Sequence, residues 1–176
     1  MKKAIALILY FNFIVNFVEG QTPNFPVPTN IPDQLFYLQR SPNINTVIYQ
    51  LNRKDGILDS LKPVHIFWIS YAEKAQREEL TEIQRKLAYG LSYKRLGNET
   101  YEIRFLAQKE HAFILKKGKD NQFHVFATIN NRHAILHKIF LQINGGAVFK
   151  PNIEYVMLYG SDNETGDLVT EQIRKL

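Results

Sequence analysis

The sequence predicts a mainly β domain, a single antiparallel β-sandwich or barrel of roughly eight to ten strands with one short α-helix near residues 81–89. Three observations predict it. From Leu35 onward apolar side chains recur at alternate positions, the period of a half-buried strand. Turn-forming clusters punctuate the chain about every 8–12 residues. A single segment carries its apolar residues at helical spacing instead.

The alternation is explicit in four runs. Val47, Tyr49 and Leu51 alternate with Ile48 and Gln50; Tyr101, Ile103, Phe105 and Ala107 with Glu102, Arg104 and Leu106. Phe123, Val125, Ala127 and Ile129 alternate with His124, Phe126 and Thr128; Ile153, Tyr155, Met157 and Tyr159 with Glu154, Val156 and Leu158. Val64 to Ile69 is apolar at both parities, which predicts a strand covered on both faces near the centre of the sheet. Between the runs stand turn formers: Ser41-Pro42-Asn43, Asp55-Gly56, Gly97-Asn98, Gly118 to Asn121, Asn130-Asn131, Asn144 to Gly146, and Ser161 to Gly166.

The helical segment is marked by its ends. Thr81 and Gln84 fit a capping box, in which the threonine hydroxyl accepts from the third amide and the glutamine reaches back. Glu82 and Lys86 are a favourable i, i+4 pair. Gly90 suits a left-handed residue that ends the helix. Leu80, Ile83 and Leu87 share one face, expected to pack on the sheet.

Residues 1–20 read as a secretory signal peptide. Lys2 and Lys3 precede an apolar run, Ala4 to Val18, shorter than the roughly 20 residues that span a bilayer, and Gly20 is a small residue at a cleavage position. Localisation is therefore secreted or periplasmic, and no transmembrane segment remains after cleavage. Residues 21–34, with Pro23, Pro26, Pro28 and Pro32, form an extended Pro-rich leader, unless Phe25 and Val27 pack along the domain. Residues 35–176 make up the single β-rich domain. Roughly 150 residues suffice for one self-sustaining core, so the absence of cysteine is no handicap even in an oxidising compartment. Cleavage removes two basic side chains and one acidic one, so the formal charge falls from +5 to +4. The basic residues are spread along the chain, which argues against nucleic acid as a partner.

Three stretches taken together are distinctive: Tyr49-Gln-Leu-Asn52, Pro63-Val-His-Ile-Phe-Trp68-Ile-Ser-Tyr71 and Glu79-Leu-Thr-Glu-Ile-Gln-Arg-Lys-Leu-Ala-Tyr89-Gly90. In this order they resemble the family called domain of unknown function 4833, and the resemblance runs from about Leu35 to Ile173. It implies an exported or cell-surface-associated protein. It implies no activity, cofactor or site residue, because the family has none assigned.

Candidate chemistry is sparse. His133 and His137 are four apart without the glutamate of a zinc helix. On a strand they would stand roughly 13 Å from each other, too far for one ion. His65, His111 and His124 read as ordinary sheet residues, so no metal is expected. Cysteine is absent as a nucleophile, and Ser92 and Ser161 have no base at a recognisable spacing. No cofactor-binding motif is present. Glu102, Glu154 and Glu171 could serve a small secreted hydrolase, although solvent-facing strand positions account for all three.

The aromatic set around the helix is the stronger lead. Tyr49, Trp68, Tyr71 and Tyr89 could stack on a sugar or apolar ligand, with Asn52, Gln84 and Arg85 adding hydrogen bonds. Alternatively they fill the helix–sheet junction. The leading expectation is a non-catalytic extracytoplasmic binding module for a small molecule, glycan or protein, its groove between helix and sheet and lined by Trp68, Tyr71 and Tyr89. A carboxylate hydrolase and a structural envelope component are the alternatives. Asn98 and Asn163 stand in N-glycosylation sequons, relevant only in a eukaryotic host. Exported protein is expected to begin at Gln21 on N-terminal sequencing; a chain still beginning at Met1 refutes cleavage.

Overall fold

A computed structural model describes residues 25–147 and 150–174. The signal peptide expected at residues 1–20 and the first four residues of the expected leader lie outside that range. In chain order, β1 (Gln34–Arg40) and β2 (Thr46–Leu51) are followed by β3 (Arg53–Lys54) and β4 (Ile57–Leu58), which form a ladder of their own around Asp55-Gly56. Next come β5 (Val64–Ser70) and β6 (Gln76–Glu79), then a helical connection made of α1 (Glu82–Gln84) and a π turn (Arg85–Tyr89). The rest of the chain is β7 (Leu91–Gly97), β8 (Thr100–Phe105), β9 (Phe113–Lys117), β10 (Phe123–Ile129), β11 (Arg132–Ala147), β12 (Lys150–Asp162) and β13 (Leu168–Arg174).

The mainly β class stands, with 13 strands among the described residues rather than eight to ten. Eleven of them form one sheet in the order β6-β5-β2-β1-β11-β10-β9-β8-β7, with β12 and β13 continuing from β11. Its long strand explains the branching. β12 runs along one edge of β11 from Ala134 to Ala147. The other edge is shared: Arg132 to Ile135 pair with β10, and Lys138 to Leu141 pair with β1. The β1–β11 ladder is parallel, so the sheet is not purely antiparallel as the turn spacing predicts. Such a ladder needs a long crossover, which local turn signals do not report.

The sheet curls into a half-barrel, not the closed sandwich or barrel expected. Closure would require a ladder between its end strands, β6 and β7, and these do not pair. The 80–90 connection joins the two end strands across the open seam. Two tyrosine hydroxyls tie this region to the opposite wing. Tyr49 donates to the Tyr89 carbonyl at 3.0 Å, and Tyr93 on β7 donates to the Val64 carbonyl on β5 at 3.2 Å.

The concave face is the core. Val47, Tyr49 and Leu51 meet Val64, Ile66 and Trp68 from β5, Tyr101 and Ile103 from β8, and Val125, Ala127 and Ile129 from β10. On β12 the core side is taken by Val156 and Leu158, leaving Tyr155, Met157 and Tyr159 half-buried on the convex side. β5 is second from an end rather than central. Its outward Phe67 is buried all the same, because the Arg77 guanidinium lies 3.7 Å over the ring. Of the leader, Phe25 docks edge-on against Phe140 at 5.2 Å and the Pro26 carbonyl accepts from Gln39 Nε2 at 2.7 Å, whereas Val27 stays exposed.

The helix starts where predicted. Thr81 Oγ1 accepts from Gln84 N, and Thr81 N donates to Gln84 Oε1. It then departs from expectation. Gly90 N bonds Arg85 O at 2.9 Å, a five-residue step that widens the last turn and rotates its side chains. Leu80 is buried, but Ile83 and Leu87 are 56% and 55% exposed and do not pack on the sheet. Gly90 is not left-handed; its φ is −68°. Glycine is required there because a Cβ would collide with the Arg85 carbonyl oxygen. Gly90→Ala is therefore expected to lower stability by about 1–3 kcal/mol in urea denaturation.

Candidate functional site

At the end of the seam where β1, β5 and β6 approach the helix start, the sheet leaves a cavity of about 230 Å³. Strand parity positions its floor. Phe36, Leu38 and Arg40 take the inward side of β1, so the strand's alternation delivers a cation where an apolar residue would otherwise sit. Val64, Ile66, Trp68 and Ser70 do the same on β5. Arg40, Trp68 and Ser70 thus line the cavity, with Asn43 and Asn45 from the β1–β2 loop. Glu78 and Glu79 of β6, with Thr81 and Gln84 at the helix start, form the remaining wall.

Behind this wall lies an aromatic column. Tyr49 stacks on Phe36 with centroids 4.2 Å apart, Tyr89 meets Trp68 edge-on at 4.9 Å, and the Tyr49 hydroxyl links the two pairs through the Tyr89 carbonyl. The Arg40 guanidinium carbon lies 6.0 Å from the Trp68 centroid and 5.9 Å from that of Tyr89, the outer limit of a cation–π contact. Two donors at this point have no hydrogen-bond partner among the described residues: Arg40 Nε and Trp68 Nε1, both buried. Trp68 as a whole is only 8% exposed. Leaving such donors unsatisfied costs about 1–3 kcal/mol each.

The acidic side is asymmetric. Glu79 is already engaged, with His65 Nε2 at 2.9 Å and the Arg85 guanidinium at 3.0 Å. Its carboxyl titrates below the ordinary glutamate range: burial pushes upward, but the His65 bond and the nearby Arg85 and Arg77 charges outweigh it. Arg77 donates to His65 Nδ1 at 3.1 Å, which leaves the proton of a neutral ring on Nε2, toward Glu79. Glu78, opposite Trp68 in the β5–β6 ladder, has no ion pair among the described residues.

Of the residues singled out in the sequence, Trp68 and Gln84 line the cavity. Tyr89 and Tyr49 lie behind it as support rather than lining, contrary to expectation for Tyr89. Tyr71 begins a 3₁₀ turn, Tyr71–Glu73, and does not line the cavity either. Arg85 holds the helix to β6 through Glu79 and the Leu80 carbonyl. Asn52 donates to the Lys62 carbonyl, away from the cavity. Sequence reasoning missed Arg40. Its signal was a cation at the core parity of an apolar strand, just before a Ser-Pro-Asn turn.

The other candidates disperse. Glu102 is paired with Arg104 at 2.9 Å, and Glu171 accepts from the Asn130 amide at 2.8 Å. Glu154 is exposed on β12. His133 stacks on Phe126, 10° from parallel. His137 Nε2 lies 2.8 Å from Ser161 Oγ, so this serine does have a neighbouring imidazole, one the sequence spacing hid because it sits across the β11–β12 ladder. No group of three or more potential metal ligands occurs among the described residues. Asn98 is exposed in the β7–β8 turn, and Asn163 is half-buried in the β12–β13 turn. A second cavity, about 470 Å³ near Asp33 and Phe123, has its Arg53 and His124 side chains already engaged, with Asp33 and Asp120.

A family model described as a domain of unknown function (DUF4833) matches residues 36–172, from β1 into β13. The chain belongs to that family. The match covers every residue lining the smaller cavity, so the site is contained in the family domain. No curated protein and no solved structure matches the chain. Among the described residues of this DUF4833 protein, no helix is long and apolar enough to cross a membrane.

Burial raises the phenol pKa of Tyr49, Tyr89 and Tyr93, opposed at Tyr89 by Arg40 and at Tyr93 by Arg85. The folded chain therefore keeps phenol protons that the unfolded chain releases from about pH 10. This contribution to stability is complete below that pH and is lost as pH rises above it. Denaturation midpoints are expected to fall steeply above pH 10, and less steeply in Tyr49→Phe. That variant should also lose about 1–3 kcal/mol at neutral pH, since it strands the buried Tyr89 carbonyl.

Proposed function

We propose that this protein is an exported, non-catalytic binding module whose ligand enters the cavity between β1, β5 and the helix start. The observation that carries the reading is the pair of buried, unpartnered donors, Arg40 Nε and Trp68 Nε1, at a concave site. An acceptor group on a ligand would recover what those donors lose on burial. A few convergent polar groups beside an aromatic wall are the usual makeup of a small-molecule site. At about 230 Å³ the cavity lies below the roughly 300–1,000 Å³ of pockets for drug-sized ligands, so the occupant is small or inserts one end. Export rests on the signal-like residues 1–20.

Trp68 is the sole tryptophan of the chain, so its emission reports on this wall alone. A screen of glycans, lipids, peptides and small organic acids against residues 21–176 is expected to find a ligand that shifts Trp68 emission and raises the melting temperature together. Arg40→Gln should weaken it at least tenfold, about 1.4 kcal/mol. Silence across the whole screen would overturn the reading.

A further inference from the structure

The chemistry of the cavity narrows the ligand class, on the assumption that the binding reading above holds. A simple anion would suit Arg40 and the Trp68 indole N–H, since the guanidinium fork matches a carboxylate and the indole can only donate. Arg40 makes no ion pair with a carboxylate among the described residues, so its charge is uncommitted. But the same cavity carries two glutamates. Glu79 is held by His65 and Arg85. Glu78 is not, and a free carboxylate on the wall opposes a purely anionic guest. A guest that carries a cation as well as a carboxylate turns this opposition into a second contact.

We propose that the cavity binds a small zwitterion, a free amino acid or the like, with its carboxylate on Arg40 and Trp68 Nε1 and its ammonium on Glu78. The placement follows from the sheet. Trp68 and Glu78 are directly opposed in the β5–β6 ladder and therefore share a face. Arg40 approaches the Trp68 ring from β1. Cation and free carboxylate thus bracket the indole. Asn43, Asn45 and Thr81 also line the cavity; their side-chain oxygens already accept from Asn45 N, Ala72 N and Gln84 N, which leaves their amide N–H and hydroxyl O–H groups as neutral donors. The small volume limits the guest to roughly the size of a single amino acid.

The test uses residues 21–176 and a panel of amino acids of both hands. Each is compared with its deaminated acid and its decarboxylated amine, alanine with propionate and ethylamine for example, by calorimetry and Trp68 emission. At least one amino acid should bind tenfold or more tightly than either half. Glu78→Gln, an exposed position whose change does not disturb the core, should abolish the advantage over the deaminated acid while leaving that acid's own affinity unchanged or improved. Arg40→Gln should cost the amino acid and the acid at least tenfold alike. If the acid alone binds as well as the amino acid, or Glu78→Gln leaves their ratio intact, the zwitterion inference falls and the binding reading survives. The same holds if the panel is silent but another class of ligand moves Trp68 emission. If the panel and the wider screen are both silent, the two fall together.

Discussion

The hydrogen bond from the Tyr49 hydroxyl to the Tyr89 carbonyl is the constraint on which the rest of this structure depends. Both ends are buried, so neither group has water as an alternative. Tyr49 is held flat against Phe36 within the sheet, and Phe105 meets both rings edge-on. The bond therefore references the π turn to a rigid part of the core. Without it, the segment that spans the open seam would still bury Leu80 and Tyr89, but the buried Tyr89 carbonyl would lose its partner, and the surface pair of Arg85 with Glu79 would offset little of that loss.

A half-barrel open on one side ordinarily exposes the edges of its end strands, a hazard for edge-to-edge association. Here the connection between β6 and β7 runs across that opening, and β6 is short and charged as Gln-Arg-Glu-Glu. The arrangement has a consequence for the site. A closed ladder would leave no gap at the ends of β1 and β5, whereas a helical turn with exposed Ile83 and Leu87 fills the seam incompletely. The cavity is what remains; strand parity brings Arg40, Trp68, Ser70 and Glu78 to its wall near the ends of their strands, and the β1–β2 loop and the helix start supply others. The π turn contributes by carrying Tyr89 edge-on against Trp68.

Much of the architecture was legible in the residues. Alternation at Val47 to Leu51, Tyr101 to Phe105 and Phe123 to Ile129 located strands because the period-2 pattern is a local consequence of one face being dry. Thr81 and Gln84 located the helix start because a capping box is satisfied within four residues. Ile83 and Leu87 misled for the same reason. Their spacing assumed one α-helical face against the sheet; Leu87 falls inside the five-residue step from Gly90 to Arg85, and Ile83, ahead of that step, faces solvent as well. Gly90 itself was selected by a close approach to a carbonyl, which looks in sequence the same as a left-handed cap. Of the aromatic residues near the helix, Trp68 reached the cavity and Tyr71 did not; what separated them was the end of β5 at Ser70, a boundary only weakly encoded.

By itself the sequence determined the family, the β class, the helix cap and the hydrophobic inventory of the core, because each depends on residues close together in the chain. The tertiary structure alone decided that β11 divides its edge between β10 and β1, that the sheet stays open, and that Arg40 stands over Trp68 and Tyr89 with Glu78 across from the indole. Arg40 stands 28 positions from Trp68 and 49 from Tyr89, and the β1–β11 ladder pairs Tyr37 with Lys138; no local pattern records which distant strand a ladder will choose.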